Sequence, residues 1–217
     1  MATALKKARL DLGWNQQEAA KRLGVTQAYL SMLENGRRRF APMSRKLMNL
    51  YGLSPTVLPP RSATRLAKPD SLTRELAALG YPGFAHLKPR GRRVNPAEFL
   101  LSAVAQNNLE ARAAEGLPWV VLEYPDLPAE WMVRESRVRN LQNRLGFVVT
   151  LAKEAAGRAD LEPLESMLAD SKLAKEDSFC RELNDAERRW LRENQSRQAR
   201  QWNLLSDMRP DALRYVR

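Results

Sequence analysis

Apolar side chains recur three and four residues apart along most of the chain, the spacing of amphipathic helices. Over residues 4–12 they are Leu5, Ala8 and Leu12, and Gly13 closes the segment. Asn15 is placed to cap a second helix with Ala19, Ala20 and Leu23 inward and Gly24 as its stop. Thr26 is placed to cap a third, with Leu30 and Leu33 inward and Asn35-Gly36 at its end. A fourth is predicted over about 43–51, with Leu47 and Leu50 inward, before Gly52. Residues 54–70 then hold four prolines and no helical period. They read as a linker that starts beside two packing residues, Val57 and Leu58. The boundaries follow: a first domain over 1–58, a linker over 59–70 and a body over 71–217.

The body continues in helices. Ser71 is placed to cap one carrying Leu72, Leu76 and Leu79, ended by Gly80 and Pro82, and residues 81–94 read as a loop. Asn95-Pro96-Ala97-Glu98 resembles a capping box with proline at the first helical position, before Phe99, Leu100, Leu101 and Val104. Residues 117–124 are short and strongly apolar, and their flanking prolines favour a buried helix over a strand. The longest predicted helix spans about 128–156. Trp131, Val138, Leu141, Leu145, Val148, Ala152 and Ala155 follow one another there in near-heptad steps. The first five are the candidate dimer seam; an intrachain core stripe has the same spacing. Gly146 interrupts the helix at a cost of about 1 kcal/mol relative to alanine. Shorter helices are predicted over 161–174, 184–194 (Asn184-Asp185-Ala186-Glu187 is a second capping-box pattern) and 197–207. With no strand-rich region, the fold class is all-α, a helical bundle behind a small helical head.

Charge separates the two parts. The 217 residues carry a net +11. Residues 1–60 hold ten basic and three acidic side chains, a net +7, whereas 61–217 hold 26 and 22. A basic head on a nearly balanced body points to a polyanionic partner, foremost double-stranded DNA. One cysteine, Cys180, excludes an internal disulfide framework. With one histidine, His86, there is little from which to build a metal site, and neither metal nor cofactor is expected. No run of roughly 18 apolar residues is present, so no membrane helix is expected. The first residues lack the apolar stretch of a signal peptide. The expected location is the cytoplasm, at the nucleoid.

The informative span runs from Arg9 to Arg39. Two short helices joined by a glycine-containing turn make a helix-turn-helix. Residues 15–23 form the supporting helix, Gly24-Val25 the turn and 26–34 the recognition helix, with Ala19, Val25, Leu30 and Leu33 closing the core between them. The ordered string Arg-Leu-Asp-Leu-Gly-Trp-Asn-Gln-Gln-Glu-Ala-Ala-Lys-Arg-Leu-Gly-Val-Thr-Gln-Ala-Tyr-Leu-Ser-Met-Leu-Glu-Asn-Gly resembles the phage-repressor, or Xre-like, family. The likeness covers about residues 4–53 and implies a lambda-repressor-like fold there.

That resemblance implies roles position by position. Gln27 opens the recognition helix and can meet adenine bidentately. Ala28, Tyr29, Ser31 and Met32 complete the base-reading face. Ala28 and Met32 depart from the polar residues often found there, although both can still touch a thymine methyl. Asn15, Gln16, Thr26, Asn35, Arg37, Arg38 and Arg39 match or extend positions that meet the DNA backbone, which fixes register without reading sequence. Glu34 pairs structurally with Arg9. Trp14 is a core or hinge residue.

The body offers no comparable signature. It contains no phosphate-loop motif and no HExxH. Cys180 and His86 lack partners of their kind. Glu176-Asp177 and Asp185 with Glu187 read as helix-end charges. Trp119, Tyr124, Trp131, Trp190, Trp202 and Tyr215 read chiefly as core material. The leading expectation is therefore a non-enzymatic, sequence-specific transcription regulator, a dimeric repressor reading a two-fold operator. An antitoxin that binds its toxin through the body is the alternative. A DNA-targeted enzyme with a helical catalytic body is a more distant one.

Overall fold

A computed structural model describes residues 4–38, 43–61, 69–87 and 94–216. The chain divides into two compact units, one of residues 1–59 with 92–95, the other of 60–91 with 96–217.

The N-terminal unit holds α1 (Ala4–Asp11), α2 (Gln16–Leu23), α3 (Gln27–Glu34), α4 (Ser44–Tyr51) and a 3₁₀ turn at Pro55–Val57. Leu5, Ala19, Ala20, Leu23, Leu30, Leu33, Leu47 and Tyr51 form its core. The α2–α3 corner is set by three consecutive residues. Gly24 takes a left-handed conformation (φ 65°), which ends α2 at no Cβ cost. Val25 packs on the core and its N–H donates to the Ala20 carbonyl. Thr26 Oγ1 accepts from the Tyr29 N–H and starts α3. From α4, Lys46 Nζ donates to the Leu23 carbonyl at 2.5 Å, a cation at the negative end of α2. Asn95 also belongs to this unit. Its side-chain amide donates to the carbonyls of Thr56 and Leu58.

The C-terminal unit holds α5 (Pro69–Ala78), α6 (Pro96–Val104), α7 (Ala111–Glu123), α8 (Ala129–Val138), α9 (Gln142–Ala156), α10 (Glu162–Ala169), α11 (Asp185–Glu193) and α12 (Arg197–Gln201). Two short parallel strands, β1 (Asp177–Ser178) and β2 (Leu204–Leu205), pair beside them. The side chains of Pro69 and Asp70 are not described.

Several predicted elements change here. The long helix over 128–156 is two helices, α8 and α9, broken at Asn140, whose φ is 57°. Asparagine tolerates that left-handed conformation better than most residues. The break destroys the seam. Val138 is 74% exposed, Trp131 is half-buried, and Leu141, Leu145 and Val148 are buried inside the unit. Residues 141–150 are buried without interruption, so α9 is a central helix covered on all sides.

The other corrections are smaller. Ser71 lies inside α5 and its hydroxyl donates to Glu75. The 81–94 loop contains a 3₁₀ turn, Pro82–Phe84, with Phe84 buried. The buried apolar helix starts earlier than 117, at Ala111. The helices near 161–174 and 197–207 are shorter, and the second gives way to β2. Trp190 and Tyr215 are 52% and 43% exposed, not core.

Polar residues organise α9. Arg144, 1% exposed, forms two 2.7 Å bonds to Asp177 and donates to the carbonyls of Val104 and Gln106. Asp177 is thus an inter-segment anchor, not a helix-end charge. Asn143 brackets Leu173, donating to its carbonyl and accepting from its N–H. Gln142 donates to the Ser171 carbonyl. Thr150 donates to Glu165 and accepts the indole N–H of Trp202 at 2.7 Å. The Trp202 ring lies against Gly146, where any Cβ would overlap it. Gly146 is therefore required by a close approach that helix propensity does not register.

Candidate nucleic-acid interface

The recognition surface starts with a buried brace. Arg9 Nε donates to Glu34 Oε1 at 2.6 Å and Nη2 to Oε2 at 3.1 Å, while Nη1 donates to the Trp14 carbonyl. Gln16 Nε2 donates to Glu34 Oε2 at 2.9 Å. Both charged side chains are nearly inaccessible, at 6% and 0%. Burial pushes the Glu34 carboxyl up, but hydrogen bonds from Arg9 and Gln16 outweigh it and hold its pKa below the ordinary value. The same contact raises Arg9. One carboxylate thus fastens the end of α3 to α1 and to the first residue of α2.

With that face fixed, α3 presents its other side to solvent. Gln27 and Ala28 are exposed at its N-terminal end, Ser31 and Met32 are half-buried further along, and Asn35 is exposed beyond its last turn. Tyr29, also half-buried, differs in packing against the core. Its ring therefore supports the helix. Thr26 and Asn15 are both engaged as caps: Asn15 Oδ1 accepts from the Glu18 N–H at 2.8 Å. Asn35 Nδ2 donates to Ser31 Oγ. The N–H groups of Arg37 and Arg38 both donate to the Met32 carbonyl, which folds these exposed residues back over the end of α3. Arg39 lies outside the described residues.

The charge of the surface follows from pairing. Glu34 is buried with Arg9, and Glu18 is tied to Arg22 on the next turn of α2. Lys21, Arg37 and Arg38 stand exposed. A helix of this width enters a major groove of about 12 Å.

Residues 5–58 match the helix-turn-helix family model. The N-terminal unit is a helix-turn-helix DNA-binding domain. Transcription regulation is the role this domain supports. No curated protein and no solved structure matches the chain significantly.

Two features of the helix-turn-helix domain had no signal in local spacing. Lys46 reaches the end of α2 from 23 residues away. The Arg22 guanidinium lies over the Trp14 ring, 4.4 Å from its centre, a cation–π contact that braces the α1–α2 corner.

Among its described residues, the C-terminal unit gathers no comparable set of reactive groups. Cys180 is half-buried, with its sulfur 3.5 Å from Asn108 Oδ1. His86 is exposed, its ring edge-on to Phe84. Glu176 pairs with Arg192, and Asp185 and Glu187 lie in the first turn of α11, where Glu187 completes a capping box with Asn184. Among the described residues no helix is long and apolar enough to cross a membrane.

Proposed function

We propose that the protein is a sequence-specific transcription repressor that binds a two-fold DNA operator as a homodimer, with α3 in the major groove. It acts by binding, not by catalysis, and works at the nucleoid in the cytoplasm. One observation carries the reading. The face of α3 that meets α1 and α2 is locked by the Arg9–Glu34–Gln16 brace, while Gln27 and Ala28 stand exposed at its leading end.

Gln27 offers an amide able to donate and accept on one adenine edge. Ala28 and Met32 offer apolar contact to thymine. Arg37 and Arg38 supply phosphate contacts that position the helix. Dimerisation is inferred from the size of the reader. A single eight-residue helix covers few base pairs, and domains of this kind gain affinity by pairing on half-sites about one helical turn apart.

Selection of bound sequences from random duplexes, at a stated salt concentration, tests the reading. A palindromic site with half-sites about 10 bp apart supports it. No enriched sequence from folded protein would overturn it, and would favour a partner protein held by the C-terminal unit, as in an antitoxin.

A further inference from the structure

The C-terminal unit carries a cavity of about 480 Å³ between the α8–α9 junction and the segment 173–181. That volume lies within the range of small-molecule sites. Four cationic side chains line it, Arg139, Arg144, Lys175 and Arg181, against two carboxylates, Glu176 and Asp177. Both carboxylates are already engaged. Asp177 is held by Arg144, and Glu176 by Arg192 at 2.8 and 2.9 Å. Arg139 is paired with Glu135. Among the described residues, the side chains of Lys175 and Arg181 make no hydrogen bond or ion pair. An adjoining cavity of about 380 Å³ shares Lys175, Glu176, Asp177 and Arg181 and adds Arg188, a further cation.

Two uncompensated cations in one concavity repel each other and draw counter-ions into it. The walls are also built in advance. Leu173 is held at both its N–H and its carbonyl by Asn143, and the Asp177 N–H donates to the Asn203 carbonyl. A site whose walls are fixed without ligand loses little entropy on binding. Leu141, Leu173 and Ala174 give part of the lining an apolar character.

We infer that this cavity binds a phosphorylated small molecule carrying at least two negative charges. Its phosphate oxygens pair with Lys175 and Arg181, and its organic part lies against Leu141 and Leu173. The inference is independent of the operator reading, because it concerns residues of the C-terminal unit alone.

Titration calorimetry on the full chain, with ADP and with inorganic pyrophosphate as probes, tests it. Wild type is expected to bind both at one saturable site. The double variant Lys175→Gln with Arg181→Gln should weaken both at least tenfold. Lys175→Arg, which keeps the charge, should retain binding, and so should Arg209→Gln, an exposed arginine that lines neither cavity. No binding of either probe at millimolar concentration overturns the inference. So does an equal loss in Arg209→Gln, which would mark general charge attraction. Competition between ADP and a random duplex, with both weakened by the double variant, also overturns it and assigns the surface to nucleic acid.

Discussion

Among the described residues, the N-terminal unit closes its core with mainly aliphatic side chains and one buried ion pair, Arg9–Glu34. The C-terminal unit is built round a helix, α9, that carries Gln142, Asn143, Arg144 and Thr150 into its centre. In the first unit, polar chemistry acts mainly at helix ends: Asn15, Thr26 and Lys46 each satisfy a terminal backbone group or carbonyl. In the second it acts over long range, from the first turn of α9 and from Thr150 at its middle. Each buried polar residue of α9 fastens a segment 15 to 52 residues away in sequence. The difference decides where each unit is fragile. Aliphatic cores lose stability in proportion to the volume removed, whereas a buried charge stripped of its partner leaves the full desolvation penalty behind.

The comparison breaks most sharply at Arg144. Arg144→Leu leaves Asp177 and two buried carbonyls without their donor and is expected to cost the C-terminal unit about 3–5 kcal/mol. Hydrogen exchange resolved by segment would show amides of α9 opening while those of α1–α4 keep their protection. Equal loosening of both units would mean that they share one cooperative transition.

The corresponding experiment in the first unit is Glu34→Gln, with an expected loss of about 3 kcal/mol at neutral pH. Its sign is set by titration. Glu34 has a folded pKa below its ordinary value, so it contributes fully above the ordinary carboxylate range, and that contribution disappears as pH falls through the depressed value. The gap between wild type and variant in α3 protection should therefore be complete at pH 7 and shrink as pH falls below the ordinary glutamate range. A gap independent of pH would show that shape, not charge, holds α3.

Gly146→Ala sharpens the contrast by reversing a rule. On helix propensity alone it would stabilise the chain by about 1 kcal/mol. Against the Trp202 ring it is expected to destabilise the C-terminal unit by about 1–3 kcal/mol, read as a lower urea midpoint at constant slope.

The remaining substitutions, which act on binding and not on folding, lie on the surface proposed to meet DNA. Gln27→Ala should relax discrimination at one base pair and cost about 1–3 kcal/mol on the best site. Arg37→Ala should weaken all sites alike and reduce the salt slope by about one. Wild-type behaviour in both would remove the proposed groove geometry.

Legibility in the sequence follows the same division. The α2–α3 corner could be read because Gly24, Val25 and Thr26 act on neighbours within five residues. The Asn184–Glu187 capping box was legible for the same reason. The break at Asn140 was not, because the three- and four-residue spacing runs straight across it, and spacing records burial without recording continuity. Nor did spacing reveal that α9 is covered all round, since Asn143 and Arg144 look like an exposed polar face until their partners at Leu173 and Asp177 are known. On α3, the periodicity placed Leu30 and Leu33 inward, but Tyr29 also leans on the core, which leaves Gln27 and Ala28 as the exposed residues of the face proposed to read bases.

The contact between Gly146 and Trp202 also has an evolutionary reading. The indole lies on bare backbone and spends its N–H on Thr150, so a change at any of positions 146, 150 and 202 limits what the other two can be. Across descendants of this chain, a side chain at 146 should occur only where 202 has become smaller, and an apolar residue at 150 only where the ring nitrogen has gone. Such linked substitutions would mark proteins that share this body, whatever DNA-binding head they carry.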